Sequence, residues 1–411
     1  MKKVLIYFTS FGSTLGGSEY LPLAFIAELQ KLGCDVTLAL NWPSDTELAV
    51  RMSGVPVDTA RLRVELVKPE SALLCRLDAV LPFYRTRRLK ELAREADLCI
   101  STVNMFDFGK PAHHFVFLMR HFGDDAFFDY VMHRPPPRGM RRIRRVFRRW
   151  AAERLLRPLL GMRSTRKILA DPREHIYPNS RYVELVMREF YGPFNSTVFY
   201  PPTTFDFPSA ETARREPLRV VGIGRLIPEK KITDIIDIVE RARKLSGAGI
   251  ELHLAGPTEP GPYGDMLKQF AAGHPWLKLS GPLYGAEKEK FLVSGTYAIH
   301  AERDEAFGIA VAEYLKAGLV AIVPDEGGAA EVVDSPELTY RDNDEAARIL
   351  AGLISDADFR RAQLLRCRER SEFFSRRAYA ERQRKLIAGL FGGEQPAFQG
   401  SERCIKPAPL R

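Results

Sequence analysis

Two glutamates stand eight positions apart in the segment Ala301–Asp334, a spacing that could bring both carboxylates to one binding or catalytic site. Glu305 falls in a turn after a short apolar run, and Glu313 falls about a turn and a half inside a helical pattern. At this spacing both carboxylates can face the carboxyl end of a parallel sheet, where α/β proteins bind ligands. Because unpaired charge in a low-dielectric cleft is costly, the pair indicates a functional site, although a salt-bridged helix produces the same spacing.

Two cations form a second candidate group, in the segment Arg219–Lys231. Here a strand pattern is followed by a glycine turn, the two cations and the helical pattern Asp234–Leu245. Arg225 and Lys230 stand five positions apart and span the turn, so both heads can converge on one diphosphate. Arginine would bind it with a planar fork and lysine as a point charge. The alternative is a pair of surface cations on a loop.

A glycine-rich turn near the N-terminus is a third candidate. It follows the buried-type strand Lys3–Phe8 and precedes a helical pattern that opens at Ser18. Amides at the start of such a helix, near Gly16 and Gly17, can bind a phosphate. The turn lacks the G-x-G-x-x-G spacing of dinucleotide-binding proteins, and a tight turn that only needs glycine is the alternative.

The apolar runs of the chain predict the elements that position these residues. Runs typical of buried parallel strands alternate with helical patterns, which predicts an α/β fold with doubly wound sheets. The predicted strands include Lys3–Phe8, Asp35–Leu40, Asp97–Ser101, His114–Leu118, Ile250–Gly256, Tyr297–His300 and Leu319–Val323. We expect an N-terminal domain over 1–200, a linker over 201–217, a second domain over 218–370, a C-terminal helix over 371–391 and a tail over 392–411.

The glutamate segment resembles the motif of two glutamates separated by seven residues in retaining glycosyltransferase family 4 (glycosyl transferases group 1). The residues in register are Glu305, Phe307, Gly308, Glu313, Ala317, Gly318, Gly327, Gly328 and Glu331. Two other segments are similar to this family, through Gly224, Arg225, Leu226 and Lys230 and through Gly16, Gly17 and Glu19. Ala306 and Lys231 stand where the family usually has glycine.

This resemblance implies the GT-B fold, in which two facing Rossmann-like domains with parallel sheets enclose a cleft and the last helix crosses back to the N-terminal domain. It also implies a hexosyltransferase-type enzyme that moves a sugar from a UDP- or GDP-sugar to an acceptor hydroxyl with retained anomeric configuration. Arg225 and Lys230 would neutralise the departing diphosphate together with amides near Gly308, so no metal or other cofactor is expected.

The resemblance also implies roles for other residues. Glu305 would hold hydroxyls of the donor sugar, and Glu313 those of the ribose. The further donor-binding residues that it implies are Gly16, Gly17, Gly224, Tyr284, Phe307, Gly308 and Ile309. His121 follows a predicted strand, and related enzymes often have a histidine at such a strand end beside the acceptor. A histidine on the surface is the alternative.

The basic residues are concentrated in one stretch. The net charge of +9 and the pI near 9.3 predict an anionic partner, such as a nucleotide or a membrane surface. Between residues 134 and 167, thirteen residues are Arg or Lys, one is acidic, and apolar residues recur at roughly helical spacing. This pattern is typical of interfacial helices and favours a lipid-linked or envelope glycan precursor as the acceptor. The alternative is a solvated basic helix packed on the domain, and the sequence contains no nucleic-acid recognition module.

Other features limit the class of protein. No apolar run reaches the ~18 residues that span a bilayer, and the N-terminus suits a strand better than a signal peptide. A cytoplasmic enzyme, peripheral on the inner face of the membrane, is therefore expected. Five scattered cysteines predict neither a disulfide framework nor a zinc site, and Cys34 and Cys99 are expected in the core.

Two further points complete the sequence predictions. The D-x-D pattern at Asp356 lies in a polar helical region, which predicts a turn or a helix cap rather than a metal site. A nucleotide-sugar epimerase or phosphorylase of the same fold is an alternative function. A catalytically degenerate membrane- or RNA-binding protein is another, which the departures at Ala306 and Lys231 leave open.

Overall fold

The computed structural model describes residues 1–12, 17–68, 81–117, 127, 157 and 161–392. The chain divides into two compact units. Unit 1 contains Met1–Phe199 and the segment that begins at Ala380, and unit 2 contains Tyr200–Tyr379. Among the described residues, no helix combines the length and the apolar character that crossing a bilayer requires.

Unit 1 is built on a sheet of six described strands. These are β1 (Lys3–Phe8), β2 (Asp35–Leu40), β3 (Arg63–Leu66), β4 (Leu98–Ser101), β5 (His113–Val116) and β6 (His175–Pro178). They lie in the order β3-β2-β1-β4-β5-β6, and every pairing is parallel. The described helices are α1 (Gly17–Lys31), α2 (Thr46–Ser53), α3 (Leu81–Glu95), α4 (Thr165–Leu169) and α5 (Arg181–Tyr191). Because the chain proceeds outward on both sides of β1, the sheet is doubly wound.

The predicted apolar runs form the interior of this sheet. The strands predicted at Lys3–Phe8 and Asp35–Leu40 are confirmed with the same bounds. Those predicted at Asp97–Ser101 and His114–Leu118 are confirmed with slightly shifted ends. Cys34 and Cys99 are buried free thiols, as expected. Burial on both faces explains why these strands are nearly continuous apolar runs rather than alternating ones.

Unit 2 repeats this architecture. Its described strands are β7 (Arg219–Ile223), β8 (Glu251–Ala255), β9 (Leu277–Leu279), β10 (Tyr297–Ile299), β11 (Val320–Pro324) and β12 (Thr339–Tyr340). They lie in the order β12-β11-β10-β7-β8-β9, again with parallel pairings. The described helices are α6 (Ile232–Ser246), α7 (Pro262–Gly273), α8 (Gly285–Val293), α9 (Ile309–Lys316), α10 (Gly327–Val333), α11 (Asn343–Ser355), α12 (Ala357–Glu372) and α13 (Arg376–Gly392).

The strand order of unit 2 reverses between β7 and β10. These two strands are neighbours in the sheet, although β8 and β9 separate them in the sequence. Their carboxyl ends, at Ile223 and Ile299, therefore open at the same edge. The loops that follow them carry the two predicted cations and the first glutamate of the pair. In open α/β sheets such a reversal is the usual position of a ligand site.

The segment 201–217, predicted as a linker, belongs to unit 2 and is hydrogen-bonded to it. The Thr203 amide donates to the Phe374 carbonyl at 2.9 Å. The Arg215 guanidinium donates to the carbonyl oxygens of Gly295 at 3.0 Å and of Ala317 at 2.7 Å. These contacts explain why a sequence rich in Pro, Thr and charge is nevertheless an ordered part of the unit.

The C-terminal helices differ in their bounds from the single predicted helix over 371–391. Helix α12 ends at Glu372, and α13 begins at Arg376 in unit 2 and continues into unit 1 from Ala380. The Asp356 carboxylate accepts hydrogen bonds from the amides of Asp358 and Phe359 in the first turn of α12, both at 2.9 Å. The prediction that the D-x-D pattern is a helix cap is therefore confirmed.

Candidate functional site

The loop after β7 is shaped by two glycines that approach each other closely. Gly224 has a φ of 145°, and its amide donates to the Ala255 carbonyl at 3.0 Å. A Cβ atom on Gly256 would lie 1.8 Å from the Gly224 carbonyl oxygen, so only glycine fits there. The end of β8 thereby fixes the turn that leads to the two predicted cations.

Lys230 joins this loop to the loop after β10. A short 3₁₀ turn, Pro228–Lys230, ends at this lysine. Its Nζ atom lies 2.6 Å from Glu305 Oε2 and 2.5 Å from Glu302 Oε2. The side chains are partly or wholly buried, with exposed fractions of 27% for Lys230 and 7% for Glu302. The structure thus brings together a predicted cation and a predicted acid that lie far apart in the sequence, and it adds a second carboxylate.

The electrostatics of this cluster favour the charged lysine and ionised glutamate. Burial disfavours the ammonium of Lys230, but the carboxylates of Glu305 and Glu302 outweigh burial and raise its pKa. Burial also opposes ionisation of Glu305, but Lys230 prevails and lowers the pKa of that carboxyl. His300 Nε2 lies 3.7 Å from Glu305 Oε2, and burial lowers the pKa of this imidazole to about 4. Near pH 7 the histidine is therefore neutral.

Arg225, the other predicted diphosphate cation, is exposed. Within the described part of the chain it forms no ion pair, unlike Lys230. Lys231, where the related family usually has glycine, adopts a φ of 53° at the start of α6. This left-handed conformation is one that glycine adopts without steric cost, so the lysine departs from the family at a position where glycine suits the backbone.

The loop between β10 and α9, residues 300–308, carries Glu305 and is called the acidic loop below. It contacts Gly327 and Gly328 at the start of α10. The Gly328 amide donates to the Glu305 carbonyl at 2.7 Å. A Cβ atom on Gly328 would lie 2.2 Å from the Ala306 carbonyl oxygen, and one on Gly327 would lie 2.3 Å from the Arg303 carbonyl oxygen. Both glycines of the sequence motif are therefore required by the close approach of two backbone segments.

Of the residues that follow Glu305, Phe307 is buried in the core and Gly308 directly precedes helix α9. The Phe307 ring is 2% exposed and packs against the rings of Tyr200 and Phe374, with centroids 6.1 and 5.6 Å away. Phe307 is therefore a core residue of unit 2. Gly308 has a φ of 89° and precedes α9, in which Ile309 is the first residue. The Val311 amide donates to the Gly308 carbonyl at 2.9 Å, so the amides that can bind an anion at the positive dipole end of α9 are those of Ile309 and Ala310.

Glu313 is buried within α9, and both of its carboxylate oxygens are engaged. Lys288 Nζ lies 2.7 Å from each oxygen, and the Thr204 hydroxyl also donates to Glu313. The sequence predictions missed Lys288, because it lies on α8 and no spacing pattern links it to the glutamate. Glu313 thus has a protein cation as its partner.

Two buried tyrosines that the sequence predictions also missed support the same region. The Tyr200 hydroxyl donates to Glu331 Oε2 at 2.8 Å, and Glu331 is fully buried. The Tyr314 hydroxyl accepts from the Ile223 amide at 2.8 Å at the end of β7. Burial raises the pKa of the Tyr314 phenol, which therefore stays neutral. Glu331, the last acid of the motif, is accordingly a structural residue in this chain.

The remaining predicted site residues are not brought into this cluster. Tyr284 is 59% exposed and directly precedes α8. Gly17 is the first residue of α1 in unit 1. Gly16 and His121 lie outside the described residues. Two other histidines of this region, His113 and His114, lie at the first two positions of β5.

The described end of the basic stretch packs on unit 1. Residues 134–156 and 158–160 lie outside the described residues. The Arg163 guanidinium lies 2.8 Å from Asp107 Oδ1 and 2.7 Å from Glu174 Oε1, both of which are buried. Arg166 lies over the rings of Phe190 and Tyr191, 5.4 Å from each centroid. These two cations are engaged within the protein, so they match the alternative of a packed basic helix.

One group of described residues has the composition of a metal site. Potential ligand atoms of His300, Glu302 and Glu305 lie within 4.8 Å of one another. However, the Lys230 ammonium lies between the two carboxylates and already supplies positive charge to both. The three residues therefore belong to an ion-pair cluster with Lys230.

Comparison with solved structures shows the fold class. HepE from Anabaena, in complex with UDP and glucose, has a TM-score of 0.62 and 17% identity over 96% of this chain and 100% of that chain. WaaG, a glycosyltransferase involved in lipopolysaccharide biosynthesis, has a TM-score of 0.62 and 13% identity over 94% and 100%. Sucrose-phosphate synthase from Thermosynechococcus elongatus has a TM-score of 0.63 and 15% identity over 96% and 100%. The chain has the GT-B fold, as predicted.

Unit 2 also matches a sequence family. Residues 205–368 match the family model described as Glycosyl transferases group 1. This segment contains Arg225, Lys230, Glu305 and Glu313, together with the loops after β7 and β10. No curated protein matches the sequence significantly. The family match and the fold together support glycosyltransferase activity.

Proposed function

We propose that the protein is a retaining glycosyltransferase that moves a sugar from a nucleotide-diphosphate sugar to an acceptor hydroxyl. The observation that carries this proposal is the Lys230–Glu305 pair, 2.6 Å apart at the carboxyl ends of β7 and β10. The pair lies in the segment that matches the group 1 glycosyltransferases, at the point where α/β sheets bind ligands. A cation and an acid at one position suit a donor that combines a diphosphate with sugar hydroxyls.

In this mechanism the difficult charge is that of the departing diphosphate. Lys230 and the exposed Arg225 would neutralise it, and the first-turn amides of α9 would add their dipole. Glu305 would hold hydroxyls of the donor sugar, and Glu313 those of the ribose. Neither glutamate acts as a nucleophile in this proposal. The acceptor hydroxyl attacks the sugar on the face that the diphosphate leaves, and the leaving phosphate takes the acceptor proton.

Lys230 would serve the diphosphate without leaving its two carboxylates. An ammonium has three N–H donors, and Glu302 and Glu305 occupy two of them. The third N–H would donate to a diphosphate oxygen, while the remaining lone pairs of Glu305 would accept from the sugar hydroxyls.

Among donors, we propose a UDP-sugar first, with a GDP-sugar as the alternative. HepE is described in complex with UDP-glucose, and the O-GlcNAc transferase GtfA, a second protein with this fold, in complex with UDP and GlcNAc. For the acceptor we propose a lipid-linked or envelope glycan precursor at an anionic membrane surface. The thirteen cations between residues 134 and 167 support that choice, although Arg163 and Arg166 do not contribute to it.

A binding experiment tests this proposal. The purified protein is titrated with UDP-, GDP-, ADP- and dTDP-sugars in the presence of EDTA, and thermal unfolding is recorded. One nucleotide should stabilise the wild type and the control Arg348→Ala, an exposed position on α11, but not Arg225→Ala. Release of the matching nucleoside diphosphate in the presence of acceptor then tests transfer. A folded protein that no nucleotide stabilises would contradict the proposal and favour a degenerate binding protein.

A further inference from the structure

The second glutamate of the pair, Glu313, contacts Lys288, a residue to which neither the sequence motifs nor the family match assigns a role. Lys288 Nζ lies 2.7 Å from both carboxylate oxygens of Glu313. The Glu313 side chain is 3% exposed, whereas that of Lys288 is 23% exposed and so reaches the surface of unit 2. The Thr204 hydroxyl donates to the same carboxylate. Glu313 is therefore engaged on both oxygens by groups of the protein itself.

The position of Lys288 is fixed by the helix that carries it. The next residue on α8, Glu289, accepts hydrogen bonds from the Ser209 amide at 2.9 Å and from the Ser209 hydroxyl at 2.5 Å. Thr204 and Ser209 both lie in the segment 201–217, so this segment hydrogen-bonds to both Glu313 and α8. The contact between Lys288 and Glu313 is accordingly set by the surrounding structure rather than by one flexible side chain.

A neutral ribose cannot take the place of this lysine. Glu313 is buried, and displacing its cation would leave an unpaired carboxylate in a low-dielectric site. Ribose hydroxyls carry no charge that could compensate. Lys288 must therefore stay in place when the ribose binds. An ammonium has three N–H donors, of which Glu313 takes two, and the Lys288 side chain is partly exposed, which leaves the third donor for a ligand.

We propose that Lys288 is a specificity-determining residue of a ribose subsite. It pairs with the Glu313 carboxylate, which accepts from one ribose hydroxyl, and its third N–H donates to a ribose oxygen. The ligand class is a ribonucleoside diphosphate, and the 2′- and 3′-hydroxyls are the groups that the subsite discriminates. This inference rests on the proposed function, in which Glu313 receives the ribose of the donor.

Calorimetric titration of the full-length protein tests the inference. The probes are UDP, GDP and their 2′,3′-dideoxy analogues, and the matched control is Lys290→Met, an exposed position on the same helix. Wild type and Lys290→Met should bind UDP or GDP at least about tenfold more tightly than the corresponding analogue, the lower range for a hydrogen bond to a charged group. Lys288→Met should lose at least about tenfold in nucleotide affinity and discriminate by less than about threefold.

The outcomes separate this inference from the proposed function. Full discrimination in Lys288→Met would overturn the inference alone, because nucleotide binding would survive. No binding of either nucleotide by wild type and Lys290→Met would overturn both. If Lys288→Met does not fold, Glu313→Gln is compared with Lys288→Met/Glu313→Gln, which lacks both charges. The single variant should keep some discrimination through Lys288 and the double variant none, so equal discrimination in the two would also overturn the inference.

Discussion

Lys230 carries the positive charge that two carboxylates share, so its removal is the sharpest perturbation of the site. In Lys230→Met, the Glu302 and Glu305 carboxylates lose a cation that lies 2.5 and 2.6 Å away. Removing one partner of a buried ion pair costs about 3–5 kcal/mol. Because the Lys230 side chain is 27% exposed, solvent screening reduces the expected loss to about 2–3 kcal/mol in the free energy of unfolding at pH 7.

The loss should depend on pH with a definite sign. Two converging carboxylates without a cation cannot both stay ionised, so the folded variant should retain a proton, and the pKa of the pair should rise above its unfolded value of about 4.3. A group with a raised folded pKa contributes stability below the unfolded pKa that is lost as the pH rises. The deficit of Lys230→Met relative to wild type should therefore be small near pH 4 and grow toward pH 7.

The same substitution should reduce catalysis through a separate cause. Loss of a cation from the leaving diphosphate should cost about 2–4 kcal/mol of transition-state stabilisation, by analogy with loss of an oxyanion donor, which lowers kcat/KM by about 30- to 900-fold. The double variant Lys230→Met/Glu302→Gln removes one of the two unpaired charges. It should recover much of the stability but none of the activity, which separates the two roles of Lys230.

Urea unfolding at pH 4, 5, 6 and 7 and steady-state kinetics measure these effects. The matched control is Lys244→Met, whose exposed ion pair with Glu240 at 2.8 Å should change stability by less than about 1 kcal/mol. If Lys230→Met unfolded at the wild-type urea concentration at pH 7, the reasoning from the buried ion pairs would be refuted. Undiminished turnover in that variant would refute the role of Lys230 at the diphosphate.

Three further predictions follow from other positions. Gly328→Ala places a Cβ atom 2.2 Å from a carbonyl oxygen of the acidic loop, so it should raise the donor KM and lower the melting temperature, whereas Gly249→Ala, with nothing within 4 Å, should not. Lys231→Gly relieves a left-handed lysine and should stabilise unit 2 by up to about 1 kcal/mol in urea unfolding; a destabilised variant would contradict this. Burial lowers the pKa of His113 to about 3 and that of His175 to about 4, so the unfolded chain binds more protons below pH 6.5. Stability should then fall between pH 6.5 and 4, by up to about 1.4 kcal/mol per pH unit for each histidine, and a pH-independent urea midpoint would count against this.

The sequence predicted the fold well where burial is strongest. β1 and β2 were predicted with their observed bounds, because strands covered on both faces are unbroken apolar runs with polar ends. The D-x-D cap at Asp356 was also predicted, because a capping carboxylate contacts only amides of its own turn. Local interactions of this kind are encoded in local sequence.

The site was predicted only in part, because its contacts join distant segments. Lys230 and Glu305 were both singled out from motifs, yet their ion pair follows from the neighbouring positions of β7 and β10, which no local pattern specifies. Glu302 and Lys288 carried no recognisable spacing, and their roles depend on how loops and helices pack. Arg163 shows the opposite error, because a cation counted toward an anionic surface is in fact paired with buried carboxylates.

The position of Tyr200 has a consequence for engineering chimeric enzymes. Tyr200 donates to Glu331, Thr204 to Glu313 and Ser209 to Glu289, all from the chain that precedes β7. A module exchanged between enzymes at residue 218, the start predicted from the sequence, would lose all three hydrogen bonds, including the one that the fully buried Glu331 accepts from Tyr200. The transplantable module is instead Tyr200–Tyr379, because the residues that precede β7 also hydrogen-bond to the glutamates of this unit.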